Sequence, residues 1–436
     1  MNFQPIVLNQ DFRQILSDLD HSDANYFITG RAGTGKSTLL DLIKRTNKKT
    51  LAVLAPTGIA ALNVGGQTIH SFFGFAPYIE DFASIKKVAK FKMFQALELL
   101  IIDEVSMIRA DLFDRMNIFL QKNRKSNLPF GGVQILLFGD LLQLPPVVTQ
   151  EDAIVLKKMG YESPYFFEAK VFKQGFHMQM IELTNVFRQK ERAFIKLLDR
   201  IRNAQIDEDD LDLLNQRFFP NALYSTDNTI TLTTRNAKAD LINKSKLLQI
   251  DSPAFRYIGS VNGAFSQNNL PADQLLELKV GAQVMFIRND PNKDYVNGSI
   301  GIIYECLADS IKIEIPSSGD TTKIIEVFPY EWQNIKYIMN ESKEDDQKID
   351  IEIVGTYRQL PIKLAWAITI HKSQGKTFDR VIIDMGGGAF ESGQTYVALS
   401  RCRTLEGVIL KQPLRNRDII VDERITEYYE QVKYLS

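Results

Sequence analysis

The segment GRAGTGKS, Gly30 to Ser37, has the residue types and spacing of a loop that binds phosphate groups. Its glycines let backbone N–H groups curl around phosphates, while the lysine reaches the outer phosphates and the final hydroxyl ligates Mg²⁺. The apolar run NYFIT precedes it, as such a loop requires. We predict that a nucleoside triphosphate is bound by Gly30, Ala32, Gly33, Thr34, Gly35, Lys36, Ser37 and Thr38, with Ser37 also a metal ligand.

Two adjacent carboxylates, Asp103 and Glu104, end the apolar run LLII. A solvated surface pair does not usually end a buried strand, because burial of a charge is costly. Phosphoryl transfer needs mainly positioning and charge from the enzyme. We predict that Asp103 holds the Mg²⁺ shell and that Glu104 positions or deprotonates the attacking water. The alternative is an acidic cap at the end of the strand.

Three further side chains suit a γ-phosphate. Gln143 follows a third apolar run, in FGDLLQLPPV, where loops face the ligand in open α/β sheets. Arg188 in LTNVFRQ and Arg401 in YVALSRCR carry guanidinium groups that match the charge spread over a transferring phosphoryl group. Taken singly, each arginine is better explained by a surface salt bridge.

The elements that must position these residues alternate apolar runs with helical stretches. NYFIT, TLAVLAP, LELLIID and VQILLFGD predict four buried parallel strands, and ITLTT, LAWAITI and VIIDM predict a second set. Short strands separated by turn clusters at about residues 254–358 predict a small β-barrel-like insertion. We expect the acidic run at 341–348 to be a solvated loop.

Length, composition and charge exclude some classes of function but do not identify the function. The 436 residues suffice for about three domains, and 44% of them are hydrophobic. A net charge of −1 means that any nucleic-acid groove must be a local basic patch. Cys306 and Cys402 indicate neither a disulfide framework nor a zinc cluster. No apolar run approaches the ~20 residues of a membrane span, and no secretory signal is evident, so we predict a cytoplasmic protein.

Eight segments in chain order resemble the motif series of the Pif-type DNA helicases, a RecD-like family of superfamily 1B: GRAGTGKS, APTGIAALN, GGQTIHSFF, IIDEVSM, GDLLQLPPV, LTNVFRQ, AITIHKSQGKTFD and YVALSRCRT. The resemblance runs from about residue 8 to residue 410. It implies an α/β fold with two RecA-like lobes, ATP and Mg²⁺ between them, and 5′→3′ movement on single-stranded DNA. The expected parts are a first lobe (1–73 and 96–181) with a small protrusion (74–95), and a second lobe (182–253 and 359–436) with an SH3-like β-barrel insertion (254–358).

The same resemblance implies roles for individual residues. The catalytic set would be Lys36, Glu104, Gln143, Arg188 and Arg401, and Gly375 and Lys376 would link the ATP cleft to the DNA track. The track itself would consist of Thr57, His70, Ser71, Phe72, Arg235, Asn236, His371, Lys372 and Ser373. The family usually has an adenine-reading glutamine near the N-terminus; Phe12 stands there, and Gln10 is the substitute candidate.

The implied partners are single-stranded DNA and duplex or forked DNA, with G-quadruplexes and R-loops as related substrates. No membrane partner is implied, and we expect a monomer in solution that can self-associate on DNA. Two alternatives stay open. An RNA or RNA:DNA helicase is one, because a grip on the backbone does not distinguish sugars unless the 2′-OH is contacted. The other is a nucleotide-gated switch that clamps single strands without stepping along them. Glu104 and the two arginine candidates argue against it, because a pure switch does not require a complete set of residues for ATP hydrolysis.

Overall fold

The protein contains two parallel sheets. A run of antiparallel strands lies, in sequence, between the first and the second strand of the second parallel sheet. The computed structural model describes residues 10–189, 191–220, 229–267, 270–290, 292, 294–316, 321–339 and 349–435. In the described part of the chain, no helix has the length and apolar character to cross a membrane.

The first sheet has six parallel strands in the order β3-β2-β4-β5-β1-β6. Continuous apolar runs such as LLII are buried along their whole length, which suits strands covered by helices on both faces. The four strands predicted here are confirmed, and two more complete the sheet. The bounds are β1 (Asn25–Gly30), β2 (Leu51–Ala55), β3 (Gln67–Thr68), β4 (Leu99–Ile102), β5 (Gln134–Phe138) and β6 (Met178–Leu183).

Short polar residues start two of the helices around this sheet. The Thr57 hydroxyl accepts a hydrogen bond from Ala60 N at 3.2 Å, and the Thr68 hydroxyl accepts one from Ser71 N at 3.2 Å. Each satisfies an N–H group that the first helical turn leaves unpaired. The helices are α1 (Gln10–His21), α2 (Lys36–Thr46), α3 (Gly58–Val64), α4 (Ile69–Phe73), α5 (Phe91–Ala96), α6 (Ala110–Arg124) and α7 (Gln150–Lys158).

The second sheet has four parallel strands in the order β18-β7-β19-β20. The three strands predicted here are confirmed, and a short fourth lies at the edge. The strands are β7 (Ile230–Thr233), β18 (Ala367–Thr369), β19 (Val381–Asp384) and β20 (Val408–Leu410). The helices of this region are α8 (Arg192–Arg202), α9 (Glu208–Asn215), α10 (Asn236–Leu248) and α11 (Gln394–Leu399).

The intervening chain forms three antiparallel sheets, in the orders β14-β13-β12-β11-β17, β15-β16-β9 and β10-β8. The short strands predicted in this stretch are confirmed, and the acidic run at 341–348 lies outside the described residues. The bounds are β8 (Phe255–Ile258), β9 (Ser260–Gly263), β10 (Leu275–Leu278), β11 (Gln283–Phe286), β12 (Ile300–Cys306), β13 (Ile311–Pro316), β14 (Thr322–Val327), β15 (Tyr330–Met339), β16 (Ile349–Gln359) and β17 (Ile362–Leu364).

Two elements assigned by sequence to the insertion and the second lobe also pack against the first sheet. In β15, the Tyr337 hydroxyl accepts a hydrogen bond from Val53 N at 3.0 Å. In the C-terminal helix α12 (Glu423–Leu435), the Tyr429 hydroxyl lies 2.9 Å from Thr29 Oγ1, and Ile425 is buried in the same apolar cluster as the first sheet. The apolar faces of both elements are therefore covered by the first sheet and its helices.

Candidate nucleotide and nucleic-acid site

The predicted phosphate loop joins β1 to α2, and its glycines have no room for side chains. Gly33 and Gly35 adopt left-handed backbone conformations with φ of 83° and 87°. A Cβ on Gly33 would lie 2.5 Å from Arg188 Cβ, and one on Gly30 would lie 2.6 Å from the Leu183 carbonyl oxygen. The loop is therefore built with glycine because the segment after β6 packs directly on it.

Lys36 is held in the cleft by its own loop. Its ammonium donates to the carbonyl oxygens of Gly30 at 2.5 Å and Arg31 at 3.0 Å. Burial lowers its pKa, while Asp140 and Glu104 oppose that change. Ser37 and Thr38 are exposed in the first turn of α2. The N–H groups of a first helical turn have no partner within the helix and can bind a phosphate.

Asp103 and Glu104 follow β4 directly. Burial and repulsion by Glu104 raise the pKa of Asp103 to about 7. Burial also raises the pKa of Glu104, against the attraction of Lys36 and Arg401. Together with the Ser37 hydroxyl, Asp103 offers the hard oxygen ligands that Mg²⁺ prefers. Mg²⁺ takes only one or two carboxylates from a protein, so the donor set fits it. Among the described residues, no group of three or more His, Cys, Asp or Glu side chains could hold a metal ion.

A buried ion pair that the sequence did not predict supports the glutamine loop. Asp140, which is 1% exposed, accepts a hydrogen bond from Arg202 Nη2 at 2.9 Å and another from Gln143 Nε2 at 3.0 Å. Burial opposes ionisation of Asp140, but Arg202 and Lys36 outweigh it and hold the pKa of this carboxyl below its ordinary value. Arg202 ends α8, where the sequence pattern shows only an amphipathic helix.

The two predicted arginines converge on the same cleft. Arg188 Nη1 donates to the Ser400 carbonyl oxygen at 3.2 Å, and Arg401 Nε donates to the Val397 carbonyl oxygen at 2.9 Å. Burial and the nearby Arg188 lower the pKa of Arg401 to about 9, against the attraction of Tyr396 and Glu104. Burial likewise lowers the pKa of Arg188 to about 10.

Helix α11 also touches the first sheet's loops. The Ala32 N–H donates to the Tyr396 hydroxyl at 3.1 Å, a contact that sequence reasoning missed. A Cβ on Gly393, just before α11, would lie 2.3 Å from the Gln143 carbonyl oxygen. The glutamine loop and α11 are thus in direct backbone contact.

The track candidates near the first sheet differ in accessibility. Thr57 and Ser71 are exposed, and the Ser71 hydroxyl accepts a hydrogen bond from Gln67 Nε2 at 2.7 Å. Burial, with Arg109 nearby, lowers the pKa of the partly buried His70. Phe72 is 1% exposed, and its ring packs edge-on against Phe73, Phe94 and Tyr337. Its predicted contact with bases is wrong for this structure, since the side chain is buried in the apolar core and is not accessible to a base.

The candidates near the second sheet also divide. Arg235, Asn236 and Lys372 are exposed, and His371 Nε2 lies 3.1 Å from a Glu391 carboxylate oxygen. Ser373 is fully buried, and its hydroxyl donates to the Ile370 carbonyl oxygen at 2.6 Å, so it is not available to a strand.

Gly375 and Lys376 lie on the segment that ends this motif. Gly375 is exposed with φ of 74°. Lys376 Nζ donates to Asn297 Oδ1 at 2.6 Å and so contacts the loop between β11 and β12. Burial and Lys363 lower the pKa of Lys376 to about 8. Gln10 begins α1, but its side chain lies outside the described residues.

Comparison with known proteins identifies relatives along the whole chain. Residues 6–212 match the model of the PIF1-like helicase family, and residues 262–306 match that of the 2B domain of DNA helicase Pif1. The chain is 32% identical to the ATP-dependent DNA helicase Pif1 of Bdellovibrio bacteriovorus, covering 96% of this chain and 91% of that one.

It is 34% identical to the ATP-dependent DNA helicase PIF1 of Danio rerio over 89% of this chain, but spans only 58% of that relative's length. Among solved structures, Pif1 from Bacteroides sp in complex with ADP-AlF4 is 37% identical, with a TM-score of 0.89 over 99% of this chain and 98% of that one. The mixed α/β fold of the present chain, with its parallel sheets, therefore matches the fold of the Bacteroides protein.

Proposed function

The chain belongs to the PIF1-like DNA helicase family, and on that premise we propose that it is an ATP-dependent DNA helicase that moves 5′→3′ on single-stranded DNA and unwinds duplex DNA. One observation carries the proposal. The Ala32 N–H of the phosphate loop donates to the Tyr396 hydroxyl of α11 at 3.1 Å, so the helix that leads to Arg401 contacts the predicted nucleotide site of the first sheet. An arginine supplied across a cleft stabilises the charge that develops in phosphoryl transfer.

The proposal gives each residue of the cleft a task. Lys36 and the loop glycines bind the phosphates, Glu104 orients the attacking water, and Gln143 senses the γ-phosphate. Ser37 and Asp103 would hold Mg²⁺, which supplies charge neutralisation when bound. Arg188 and Arg401 stabilise the transition state. Because their guanidinium groups match the charge distribution of the transition state better than that of bound ATP, they act on turnover more than on nucleotide affinity.

The domain division belongs to the same proposal. Residues 1–73 and 96–181 form one RecA-like lobe and 182–253 with 359–436 the other, except that α12 packs on the first. Residues 74–95 form the protrusion, and 254–358 the SH3-like insertion. Thr57, His70, Ser71, Arg235, Asn236, His371 and Lys372 contact the single strand as the lobes open and close. The protein acts on DNA as a monomer or through self-association on the strand.

The test is unwinding of a labelled duplex that carries a single-stranded tail of the same sequence at either its 5′ or its 3′ end. We expect unwinding of the 5′-tailed duplex only, and only with ATP and Mg²⁺. Unwinding rates on fork, G-quadruplex and R-loop versions of that substrate show which DNA structure is preferred. Unwinding of the 3′-tailed duplex alone would contradict the direction, and strand-stimulated ATP turnover without any unwinding would contradict the helicase.

A further inference from the structure

A carboxylate without an assigned task lies against one of the residues proposed to hold the strand. His371 Nε2 is 3.1 Å from Glu391 Oε2, and both side chains are partly exposed. His371 follows β18, and Glu391 lies between β19 and α11. Since β18 and β19 both run parallel to β7, the two residues leave the same carboxyl edge of the second sheet. The contact therefore joins two loops of that edge.

The contact between the two side chains is short but not aligned. Although 3.1 Å is a hydrogen-bond distance, Glu391 Oε2 is buried and has no hydrogen-bond partner among the described residues. A buried acceptor without a partner is costly, so a change that brings a donor into line with it is favourable. A small rotation of the His371 ring provides such a donor. The orientation of this ring is therefore the property that Glu391 controls.

The backbone around Glu391 is held against the glutamine loop of the first sheet. Phe390 N donates to Gln394 Oε1 at 3.2 Å, which fixes the chain just before α11. A Cβ on Gly393 would lie 2.3 Å from the Gln143 carbonyl oxygen. Glu391 is two residues from this close approach, so a displacement of the glutamine loop would shift the carboxylate that faces His371.

The chemistry of the imidazole decides what this contact does to a bound strand. Phosphate oxygens and an ionised carboxylate are hydrogen-bond acceptors only. An imidazole that bridges the two must donate from both ring nitrogens, which requires the protonated, cationic ring. Because Nε2 lies next to Glu391, Nδ1 is the nitrogen left for the strand. The carboxylate thus sets the direction of the ring and favours a positive charge beside the phosphate.

We propose that Glu391 is a positioning residue for strand binding, which orients His371 towards a phosphate of the single strand and ties this contact to the glutamine loop. The inference rests on the proposed function, because it takes His371 as part of the DNA track. The strand is then held more or less tightly according to whether a nucleotide has displaced the glutamine loop. A simple surface ion pair would contribute little and would not depend on the nucleotide.

The experiment measures affinity for a fluorescent single-stranded oligonucleotide by anisotropy, with and without saturating Mg²⁺ and AMP-PNP, an ATP analogue that is not hydrolysed. Wild type is compared with Glu391→Ala, Glu391→Gln and a control, Glu406→Ala, which removes an exposed glutamate of the same lobe. The ratio of the two affinities reports the coupling between nucleotide and strand. We expect a wild-type ratio of at least about fivefold and a ratio within about twofold of one in Glu391→Ala. Glu391→Gln, which keeps an acceptor without the charge, should lie between them, and Glu406→Ala should match wild type.

A double variant separates a positioning role from a structural one. If Glu391 acts through His371, adding Glu391→Ala to His371→Asn should change the ratio no further. By linkage, the effect of the oligonucleotide on AMP-PNP affinity should fall by the same factor as the ratio. A further change in the double variant, or a wild-type ratio in Glu391→Ala, would overturn the proposal. Because the ratio is measured without unwinding, failure of the wild type to unwind either tailed duplex would refute the proposed function separately.

Discussion

The buried pair of Asp140 and Arg202 predicts a large and pH-dependent loss of stability when one partner is removed. Arg202 Nη2 and Asp140 Oδ1 are 2.9 Å apart, and the two residues are 5% and 1% exposed. At an effective dielectric constant of about 20, unit charges about 3 Å apart attract by roughly 5–6 kcal/mol, and removing one partner of such a pair typically costs about 3–5 kcal/mol. Glu182, 3.8 Å from Arg202 Nη1, adds less because it is partly solvated.

We therefore expect Arg202→Met to lower the free energy of unfolding by about 3–5 kcal/mol at pH 8, and the double variant Arg202→Met with Asp140→Asn to regain more than half of that loss. In the wild type the pKa of Asp140 is below its ordinary value, so its contribution is present above that ordinary value and is lost as pH falls through the lowered one. Without Arg202, burial raises this pKa, so the deficit of the variant should shrink as pH falls.

The assay is thermal and denaturant unfolding of the single and double variants at pH 8 and pH 5, with Arg192→Met as a control for loss of an arginine on the same helix. Arg192 is exposed at the start of α8, so its loss should cost much less. A deficit in Arg202→Met below about 1 kcal/mol, or one that does not depend on pH, would refute the reasoning.

Three further results are expected. Lys36→Ala should abolish ATP turnover and leave affinity for a single-stranded oligonucleotide within a few-fold, measured by fluorescence anisotropy; equal loss of both would mean that the two surfaces are not separate. Arg401→Ala should lower kcat by ~10³ or more, with far less effect on ATP affinity, and should bind DNA without unwinding it, whereas exposed Arg403→Ala should stay near wild type. Turnover near wild type in Arg401→Ala would make it a structural arginine. Affinity for the oligonucleotide should fall steeply with added salt, because bound phosphates release counterions, and a flat salt profile would indicate stacking alone.

The parallel strands and the phosphate loop could be predicted because their signals are local. A run such as LLII has to be buried on both faces, and a glycine loop that follows such a run and ends in Gly-Lys-Ser is typical of phosphate binding. The antiparallel strands were predictable for the same reason, from turn clusters between short apolar runs. Local pattern thus located Lys36, Asp103 and Glu104 within their elements before any contact was known.

The remainder depends on contacts between distant parts of the chain. Arg202 pairs with a residue 62 positions away, and nothing in an amphipathic helix shows that its last arginine points inward. Phe72 shares a motif with exposed residues, but the core rings around it come from α5 and β15. Tyr429 lies 400 positions from Thr29, so only the fold shows that α12 covers the first sheet.

The short helix α11 connects the proposed ATP site with the segment proposed to hold the single strand. Gly393 precedes α11 and leaves no room for a side chain against the Gln143 carbonyl oxygen, so Gln143 cannot shift towards it unless α11 moves. Arg401 follows α11 and directs Nη1 at the carbonyl oxygens of Ser373 and Lys376, at 3.4 and 3.5 Å. These carbonyls belong to the segment that also carries the exposed Lys372. We expect that a displacement of the glutamine loop on phosphate binding would be passed through α11 to the segment proposed to hold the strand, because packed contacts in a close-packed protein interior move as units.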